Sequence, residues 1–265
     1  MGSATREALA SSRAALAAHG STADLATGES LLNAGRVIGE SSQLLSALAD
    51  PAADDAAKAA LVRVVFASGL TPTALELVQA VSATRWSSHD DLLAGIEDLG
   101  LRSIATSAPS SGVVESELFA FGTAVSSNAE LELALASKLG KTSAKVGLVN
   151  SLLAGKVTEQ TLTIVRHLVQ QPRGRRIGEL LRYAASIVAD QAGTSIATIT
   201  SAAALAPEQV ERLRASLTVR YGRRLSINQV VDSALVGGVH VQIGDDVIDG
   251  SIATRIKDLR LQLAG

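Results

Sequence analysis

The 265-residue sequence contains no cysteine, only five prolines and 2 % aromatic residues. The lack of cysteine excludes disulfide bonds, thiolate metal sites and a cysteine nucleophile. With so few aromatic residues, the core has to be built from Leu, Val, Ile and Ala, and chains rich in Ala and Leu but poor in proline favour helices. The length suffices for two or three compact domains.

Long apolar runs and a strong net charge are missing as well. The formal charge of −2 argues against whole-protein electrostatic attraction to nucleic acid. No segment approaches the ~18 consecutive apolar residues that a membrane span requires. The Ala-rich start, residues 1–20, is interrupted by Arg6 and Arg13 and does not resemble a signal peptide. We therefore expect any membrane association to be indirect, through a partner.

Motifs for catalysis, cofactors or metals are also lacking. Gly140-Lys141-Thr142 resembles the end of a phosphate-binding loop, but Leu135 occupies the position at which that motif requires glycine. The four histidines are scattered without the spacing of metal ligands. No serine lies in a Gly-x-Ser-x-Gly elbow. The sequence thus nominates no catalytic, cofactor-binding or metal-binding residue, and we expect neither enzymatic activity nor a cofactor.

The sequence does contain an internal repeat with an offset of 87 positions. Identical pairs at this offset are Ala47-Leu48-Ala49 with Ala134-Leu135-Ala136, Lys58 with Lys145, Leu61-Val62 with Leu148-Val149, Thr71 with Thr158, and Leu75 with Leu162. Apolar residues match apolar residues at many positions between these pairs. One constant offset over so many core-type positions predicts a duplicated structural unit.

Each copy of the repeat has the apolar spacing of helices. In the second copy, Leu148, Val149, Leu152 and Leu153 share one helix face. Thr158 is the expected N-cap of the next helix, and a break at 171–174 separates it from a helix that begins near Ile177. Residues 108–112 have the composition of a linker. We predict a first helical repeat at 1–107 and a second at 113–190.

The pattern changes after Gly193. Residues 195–202 are β-branched and strand-like, Pro207 marks the start of a helix, and apolar residues alternate over 225–231 and 239–243. A closing helix is expected from the spacing of Ile252, Ile256, Leu259 and Leu263. The predicted fold class is mainly α, with two tandem helical-bundle repeats followed by a small α+β domain at 194–265.

This C-terminal segment resembles the signature of the ATP synthase δ subunit and its mitochondrial counterpart, the oligomycin-sensitivity-conferring protein. The matching positions are Leu225, Ile227, Val231, Asp232, Leu235, Gly237, Gly238, Val239, Val241, Gly244, Asp249 and Gly250. From the residues themselves, the two successive glycines predict a bend before a strand. Asp249 and Ser251 are expected to cap the closing helix.

The resemblance implies a non-catalytic stator subunit of a proton-transporting F-type ATP synthase, on the cytoplasmic face of the bacterial plasma membrane. In this family a six-helix domain grips the N-terminal helices of α subunits on the catalytic head, and the C-terminal domain binds the end of the b-subunit stalk. The repeat at 113–190 lies where the family's helical domain is expected, and a second helical copy resembles the long actinobacterial forms. The alternative is a helical adaptor or scaffold outside the synthase.

Arginine clusters are the remaining candidates for partner docking. Arg173, Arg175 and Arg176, with Arg182, form one, and a second runs from Arg212 to Arg224. Such clusters are either solvated helix ends or docking sites for acidic partner helices. RNA binding is disfavoured because aromatic residues for base stacking are scarce. We expect the second repeat to bind an α-subunit N-terminal helix, with binding by both repeats as the alternative.

Overall fold

The computed structural model describes residues 2–137, 140–235, 237–244 and 246–249. The chain divides into two compact units, Met1–Val188 and Ala189–Gly265. Helices make up the first unit, and the described part of the second contains a four-stranded sheet and a helix. The predicted fold class, mainly α with a small C-terminal α+β domain, is confirmed.

Eleven α-helices precede the first strand in the described part of the chain. They are α1 (Ser3–His19), α2 (Leu25–Glu40), α3 (Ser42–Ala49), α4 (Asp55–Phe66), α5 (Pro72–Ala83), α6 (His89–Thr106), α7 (Val113–Ser126), α8 (Ala129–Ala136), α9 (Thr142–Leu153), α10 (Glu159–Gln170) and α11 (Ile177–Gln191). Several begin at a polar residue whose side-chain oxygen accepts a hydrogen bond from a first-turn amide; Thr158 does so for α10, as predicted.

The helix boundaries follow the 87-residue offset. Adding 87 to the bounds of α3, α4 and α5 gives 129–136, 142–153 and 159–170, which are the bounds of α8, α9 and α10. The same shift places α1 on 90–106, within α6, and α6 on 176–193, which contains α11. Helix α6 is therefore the sixth helix of one set and the first helix of the next. We call α1–α6 the first bundle and α6–α11 the second bundle.

The shared helix α6 is buried along most of its length. Its side chains from Leu99 to Ile104 are all buried, and it contacts α1, α2, α3, α5 and α10. Helix α2 approaches it closely because glycines face each other: a Cβ on Gly28 would lie 2.9 Å from the carbonyl oxygen of Gly100. The range 113–190 by itself holds five helices, and the sixth that the offset requires is α6. The domain boundaries expected from the sequence stay predictions.

The second unit contains β1 (Thr194–Ser201), α12 (Pro207–Tyr221), β2 (Arg224–Val231), β3 (Val239–Ile243) and β4 (Asp246–Asp249). The strand order is β2-β1-β3-β4; β1 pairs parallel with β2 and antiparallel with β3, and β3 and β4 are antiparallel. Helix α12 makes the crossover that a parallel pair requires. The core of this unit includes Ala197, Ile199, Leu217, Leu225, Val241 and Ile243.

The glycine turn of this unit agrees with the sequence. Gly237 and Gly238 both have positive φ, 131° and 85°, so the expected bend is present. Strand β4 was not expected from the sequence. It ends at Asp249, opposite His240, and the capping role predicted for Asp249 stays a prediction. Gly250, Ser251 and the predicted closing helix lie outside the described residues.

Candidate functional site

The predicted docking segment Arg173–Arg176 lies between α10 and α11, where it meets a buried acid of α6. Glu97 is only 3 % exposed, and Arg175 Nη2 lies 3.1 and 3.0 Å from its two carboxylate oxygens. Arg173 Nη2 donates to the same carboxylate. Arg176 is exposed. Two of the three predicted docking arginines are therefore occupied in holding the α10–α11 connection against the shared helix.

The next residue of α6 makes the corresponding contact within the first bundle. Asp98 is 2 % exposed and receives a two-pronged contact from Arg13 of α1, with Nη2–Oδ1 at 2.7 Å and Nε–Oδ2 at 3.0 Å. Arg102, one turn further along α6, donates to Oδ2 at 2.9 Å. Charge-assisted paired contacts of this kind fix geometry strongly. The adjacent acids Glu97 and Asp98 thus connect α6 to the second and the first bundle, respectively.

A buried histidine completes the Glu97 cluster. His167 Nε2 lies 3.6 Å from Glu97 Oε1, too far for a hydrogen bond, and has no hydrogen-bond partner among the described residues. Burial, together with the positive charges of Arg175 and Arg36, lowers the pKa of His167 from 6.5 to about 4. The histidine is therefore neutral at pH 7, and the arginines compensate the carboxylate.

The arginines keep their charge in this cluster. Burial lowers the pKa of Arg173 to about 10, which still leaves it protonated at neutral pH. The Arg175 guanidinium carbon lies 5.2 Å from the centre of the Tyr183 ring, within the range of a cation–π contact. Burial raises the pKa of the Tyr183 hydroxyl. The cluster is thus a structural ion network, without a group poised for proton transfer at neutral pH.

The network could not be read from the sequence, because Glu97 and Asp98 resemble ordinary surface acids. The available signal was their setting: both stand in the stretch 92–104 of α6, in which most of the other residues are apolar or glycine. Their arginine partners lie up to 85 positions away in the sequence. Spacing within one helix cannot reveal such pairs.

The described residues also bear on the sites that the sequence argued against. No group of three or more His, Asp or Glu side chains in the described ranges could hold a metal ion. Leu135 is buried in helix α8, and Lys141 directly precedes α9. The segment around Gly140 therefore connects two helices, whereas a phosphate-binding loop follows a strand. In the described part of the chain, no helix is long and apolar enough to cross a membrane.

The signature residues of the second unit build its sheet. Leu225 and Val241 are buried, and Ile227 and Val239 pack against the same core. The Asp232 amide donates to the Ser201 carbonyl at 2.9 Å, and its Oδ1 accepts from the Ala234 amide at 2.9 Å.

The remaining signature positions lie at turns and edges. Leu235 donates its amide to the Asp232 carbonyl at 3.1 Å, Gly244 has φ 58° between β3 and β4, and Val231 is 56 % exposed. These positions shape the β2–β3 and β3–β4 connections. Gly250 lies outside the described residues.

The outer face of α10 is covered by α2 of the first bundle. Thr163 Oγ1 donates to Glu29 Oε1 at 3.0 Å, and Gln171 Nε2 donates to the Gly35 carbonyl at 3.4 Å. A cavity of about 220 Å³ remains between the two helices, lined by Glu29, Leu32, Asn33, Thr163, Arg166, His167 and Gln170. Helix α10 thus lies between its own bundle and α2.

The apolar residues of α9 and α10 in the second repeat differ in exposure. Leu162 and Val165 are buried in the core, with 1 % and 0 % exposure. Leu148 and Leu152 of α9 are half-buried. Only the α9 pair is accessible to a partner.

Known proteins are similar to this sequence over most or all of its length. The family model described as ATP synthase delta (OSCP) subunit matches residues 100–263. The ATP synthase subunit delta of Leifsonia xyli subsp. xyli is 56 % identical over 265 residues, covering all of both chains. That of Kineococcus radiotolerans is 38 % identical over 90 % of this chain and 88 % of its own. That of Streptomyces griseus subsp. griseus is 36 % identical over all of both chains.

Proposed function

We propose a function from the premise that this chain belongs to the ATP synthase delta (OSCP) subunit family. The chain is a non-catalytic peripheral-stalk subunit of an F-type ATP synthase, which links the catalytic head to the b-subunit stalk. The observation that carries the proposal is the 56 % identity over the whole chain with a relative named ATP synthase subunit delta. At this level the likeness includes α1–α5, which the family model leaves unmatched.

The physical task of such a subunit is binding and stiffness. During proton-driven ATP synthesis the rotating shaft drags on the head, and the stator has to resist that torque. A rigid helical unit suits this task. Two adjacent buried acids of α6, Glu97 and Asp98, contribute to the rigidity because they bind arginines that lie before and after α6 in the chain. Breaking such buried pairs is costly, so the helices keep their relative positions under load.

The proposed partners are the N-terminal helix of an α subunit and the C-terminal end of the b subunit. The helical unit takes the first, because helical bundles offer grooves to amphipathic helices. The domain at 194–265 takes the second. The chain then lies on the cytoplasmic face of the bacterial plasma membrane, held there through the complex. No nucleic acid is involved.

Fewer arginines of the segment Arg173–Arg176 are available to a partner helix than the sequence suggested. Arg173 and Arg175 already bind Glu97, so they set the shape of the α10–α11 connection. Arg176 is the exposed member. Any direct contact of the segment with an acidic partner helix falls to Arg176.

The proposal is tested by purification of the tagged full-length chain from membranes of its own bacterium. We expect the α and b subunits to co-purify, and a tag-only strain controls for carry-over. Membrane vesicles depleted of the chain should lose ATP-driven proton pumping and regain it when the purified chain is added. Recovery of the folded chain without synthase subunits, together with undiminished pumping after depletion, would contradict the proposal.

A further inference from the structure

We propose that the arginine turn between α10 and α11, together with Tyr183 of α11, forms a binding site for a single phosphate group. The ligand is a small tetrahedral oxyanion, either inorganic phosphate or the phosphate of a monoester. It is held by the hydrogen-bond donors of Arg173 and Arg175 that Glu97 does not use. This inference goes beyond the stator role and does not depend on it.

The first step is the balance of charge around Glu97. Arg173 and Arg175 both bind the Glu97 carboxylate, which is 3 % exposed. The neighbouring His167 is neutral at pH 7, because burial and nearby arginines lower its pKa to about 4. Two positive charges therefore share one negative charge at contact distance. Charges removed from water need a partner, so the site favours an added anion.

The second step is the set of donors that remain on the two arginines. Each of them binds Glu97 through Nη2. In the described part of the chain, Nε of Arg173 is buried without a hydrogen-bond partner. The Nη1 groups of both arginines and Nε of Arg175 likewise have no partner among the described residues. Buried donors are rarely left unused, so this arrangement favours a ligand that accepts several hydrogen bonds.

Tyr183 adds a hydroxyl donor from α11. Its ring centre lies 5.2 Å from the guanidinium carbon of Arg175, and within the described residues its hydroxyl has no hydrogen-bond partner. Burial raises the pKa of this hydroxyl, so it keeps its proton at neutral pH. Asp98 and three arginines act on it electrostatically: Arg175, Arg173 and Arg13. The hydroxyl thus lies among the same positive charges as the unused arginine donors.

The backbone of the turn is strained where it presents these arginines. Arg173 has φ 45°, a left-handed conformation that residues other than glycine rarely adopt, and Gly174 follows with φ 76°. Strained backbone of this kind clusters at ligand sites and persists where the surrounding structure holds it. Here it brings two guanidinium groups to one carboxylate.

The size of the ligand follows from exposure and charge. The side chains of Arg173 and Arg175 are 20 % and 31 % exposed, so a small anion can reach donors that are recessed from a partner helix. Phosphate carries up to two negative charges at neutral pH and has acceptor oxygens in several directions. Asp90 and Glu179 act on the same arginines from beyond ion-pair distance. Their negative charge disfavours a larger polyanion.

The experiment titrates inorganic phosphate into the full-length chain near neutral pH, in a buffer without phosphate or sulfate. Adenosine monophosphate and acetate are titrated in parallel. Calorimetry measures the affinities, and the Nε–H resonance of Arg175, assigned by its loss in Arg175→Gln, reports where the anion binds. We expect saturable phosphate binding that shifts this resonance. Acetate should bind about tenfold more weakly or less, because it has one charge and fewer acceptors.

Two substitutions remove donors, and a third is their matched control. Arg175→Gln should weaken phosphate binding about tenfold or more. Tyr183→Phe keeps the ring beside Arg175 and removes only the hydroxyl, so the loss should be about threefold to tenfold. Arg182→Gln changes the charge equally at the neighbouring exposed position of α11 and should alter the affinity less than about twofold. Helix content and melting temperature establish that each variant is folded.

The outcomes decide both the site and the source of the phosphate. Absence of phosphate binding, or an affinity unchanged by Tyr183→Phe and by folded Arg175→Gln, overturns the proposal. Equal weakening by Arg182→Gln reveals unspecific attraction and also overturns it, as does acetate binding as tight as phosphate binding. If Arg175→Gln does not fold, Tyr183→Phe decides alone. Adenosine monophosphate binding as tightly as phosphate supports the site with a monoester ligand, and weaker binding supports it with free phosphate. Co-purification with synthase subunits tests the proposed function separately.

Discussion

The first and second bundles have the same helix boundaries in different surroundings. Helix α1 opens the first bundle with one side in solvent, whereas α6 opens the second and is buried along most of its length. Where α1 has Ala14 and Ala17, α6 has Leu101 and Ile104. All four residues are compatible with a helix, so burial has decided side-chain size at these positions. The same helix of the repeat is therefore partly exposed in the first bundle and largely buried in the second.

Equivalent positions of the two bundles make contacts at the same place but with different side chains. The Thr71 amide donates to Ser30 Oγ at 3.4 Å, and 87 positions later the Thr158 amide donates to Glu117 Oε1 at 3.1 Å. The fifth helix of each bundle is thus tied at its start to the second. The repeat has kept the position of this contact while a hydroxyl in one copy became a carboxylate in the other.

The largest loss of stability is expected when the ion pairs between Glu97 of α6 and the arginines of the α10–α11 connection are broken. Glu97→Gln leaves Arg173 and Arg175 without their acid in a buried site, so the free energy of unfolding should fall by about 3–5 kcal/mol. Urea unfolding of the full-length chain measures it. Glu40→Gln, which removes an exposed ion pair with Arg36, is the matched control and should cost about 0–1 kcal/mol. A loss below 1 kcal/mol for Glu97→Gln would show that the network does not hold the bundles together.

The second prediction is a dependence of the unfolding free energy on pH that arises in the second bundle. The first bundle has Ala80 at the position equivalent to His167. Burial favours neutral His167, with its pKa lowered from 6.5 to about 4. Between these values the unfolded chain binds the extra proton. Stability is therefore complete above pH 6.5 and falls by up to about 3 kcal/mol as the pH drops to about 4.

Other carboxylates titrate in the same range, so the informative quantity is the difference from His167→Gln. The charged residues near this histidine include Glu97, Arg175 and Arg36. They remain in the variant. We expect the variant to show a shallower fall in unfolding free energy between pH 6.5 and 4. Identical slopes for the two proteins would contradict the assignment of a neutral buried histidine.

The third prediction concerns the close helix contact of the first bundle. A Cβ at Gly28 would meet Gly100 oxygen at 2.9 Å and the Ile104 side chain at 2.4 Å. Gly28→Ala should therefore destabilise by about 1–3 kcal/mol through overpacking. Gly147→Ala in α9 meets nothing within 4 Å and should stabilise by up to about 1 kcal/mol through helix propensity. Thermal unfolding of both variants checks the opposite signs, and equal signs would refute the close approach of α2 to α6.

The smallest effects are expected at the equivalent N-caps. Thr71 and Thr158 each accept a hydrogen bond from a first-turn amide, so Thr→Ala at either position should cost about 1 kcal/mol. Thr158 also donates to Glu117 Oε2 at 2.7 Å, and its loss should be the larger of the two. Denaturant midpoints of the two single variants measure the difference. A larger loss for Thr71→Ala would mean that the Glu117 contact contributes nothing.

Much of the architecture could be predicted from the sequence because it depends on local signals. The offset of 87 was visible in pairs such as Thr71 and Thr158, and the structure places both at the start of equivalent helices. Pro207 begins α12, and the glycines at 237–238 form the expected bend. Propensity, capping and turn chemistry act over a few residues and can be read directly.

The double use of α6 could not be read in the same way. Its buried charges Glu97, Asp98 and Arg102 have the composition of a solvated face. Only the contacts of α1 and the 171–176 segment with α6 reveal that each charge has a partner. The same contacts show that Arg173 and Arg175 have an internal role. Long-range pairing and shared burial are properties of the packed chain, so local patterns do not contain them.

The claim that α6 belongs to both bundles is tested most directly by hydrogen exchange. The measurement compares the unsubstituted full-length chain with the Glu97→Gln variant. If α6 belongs to both bundles, its amides should be among the slowest to exchange. The substitution should then lower protection in α1–α5 and in α7–α10 by the same free energy, because both depend on one helix. Loss of protection confined to α7–α10, with α1–α5 unchanged, would show that the two bundles unfold independently and would contradict the account.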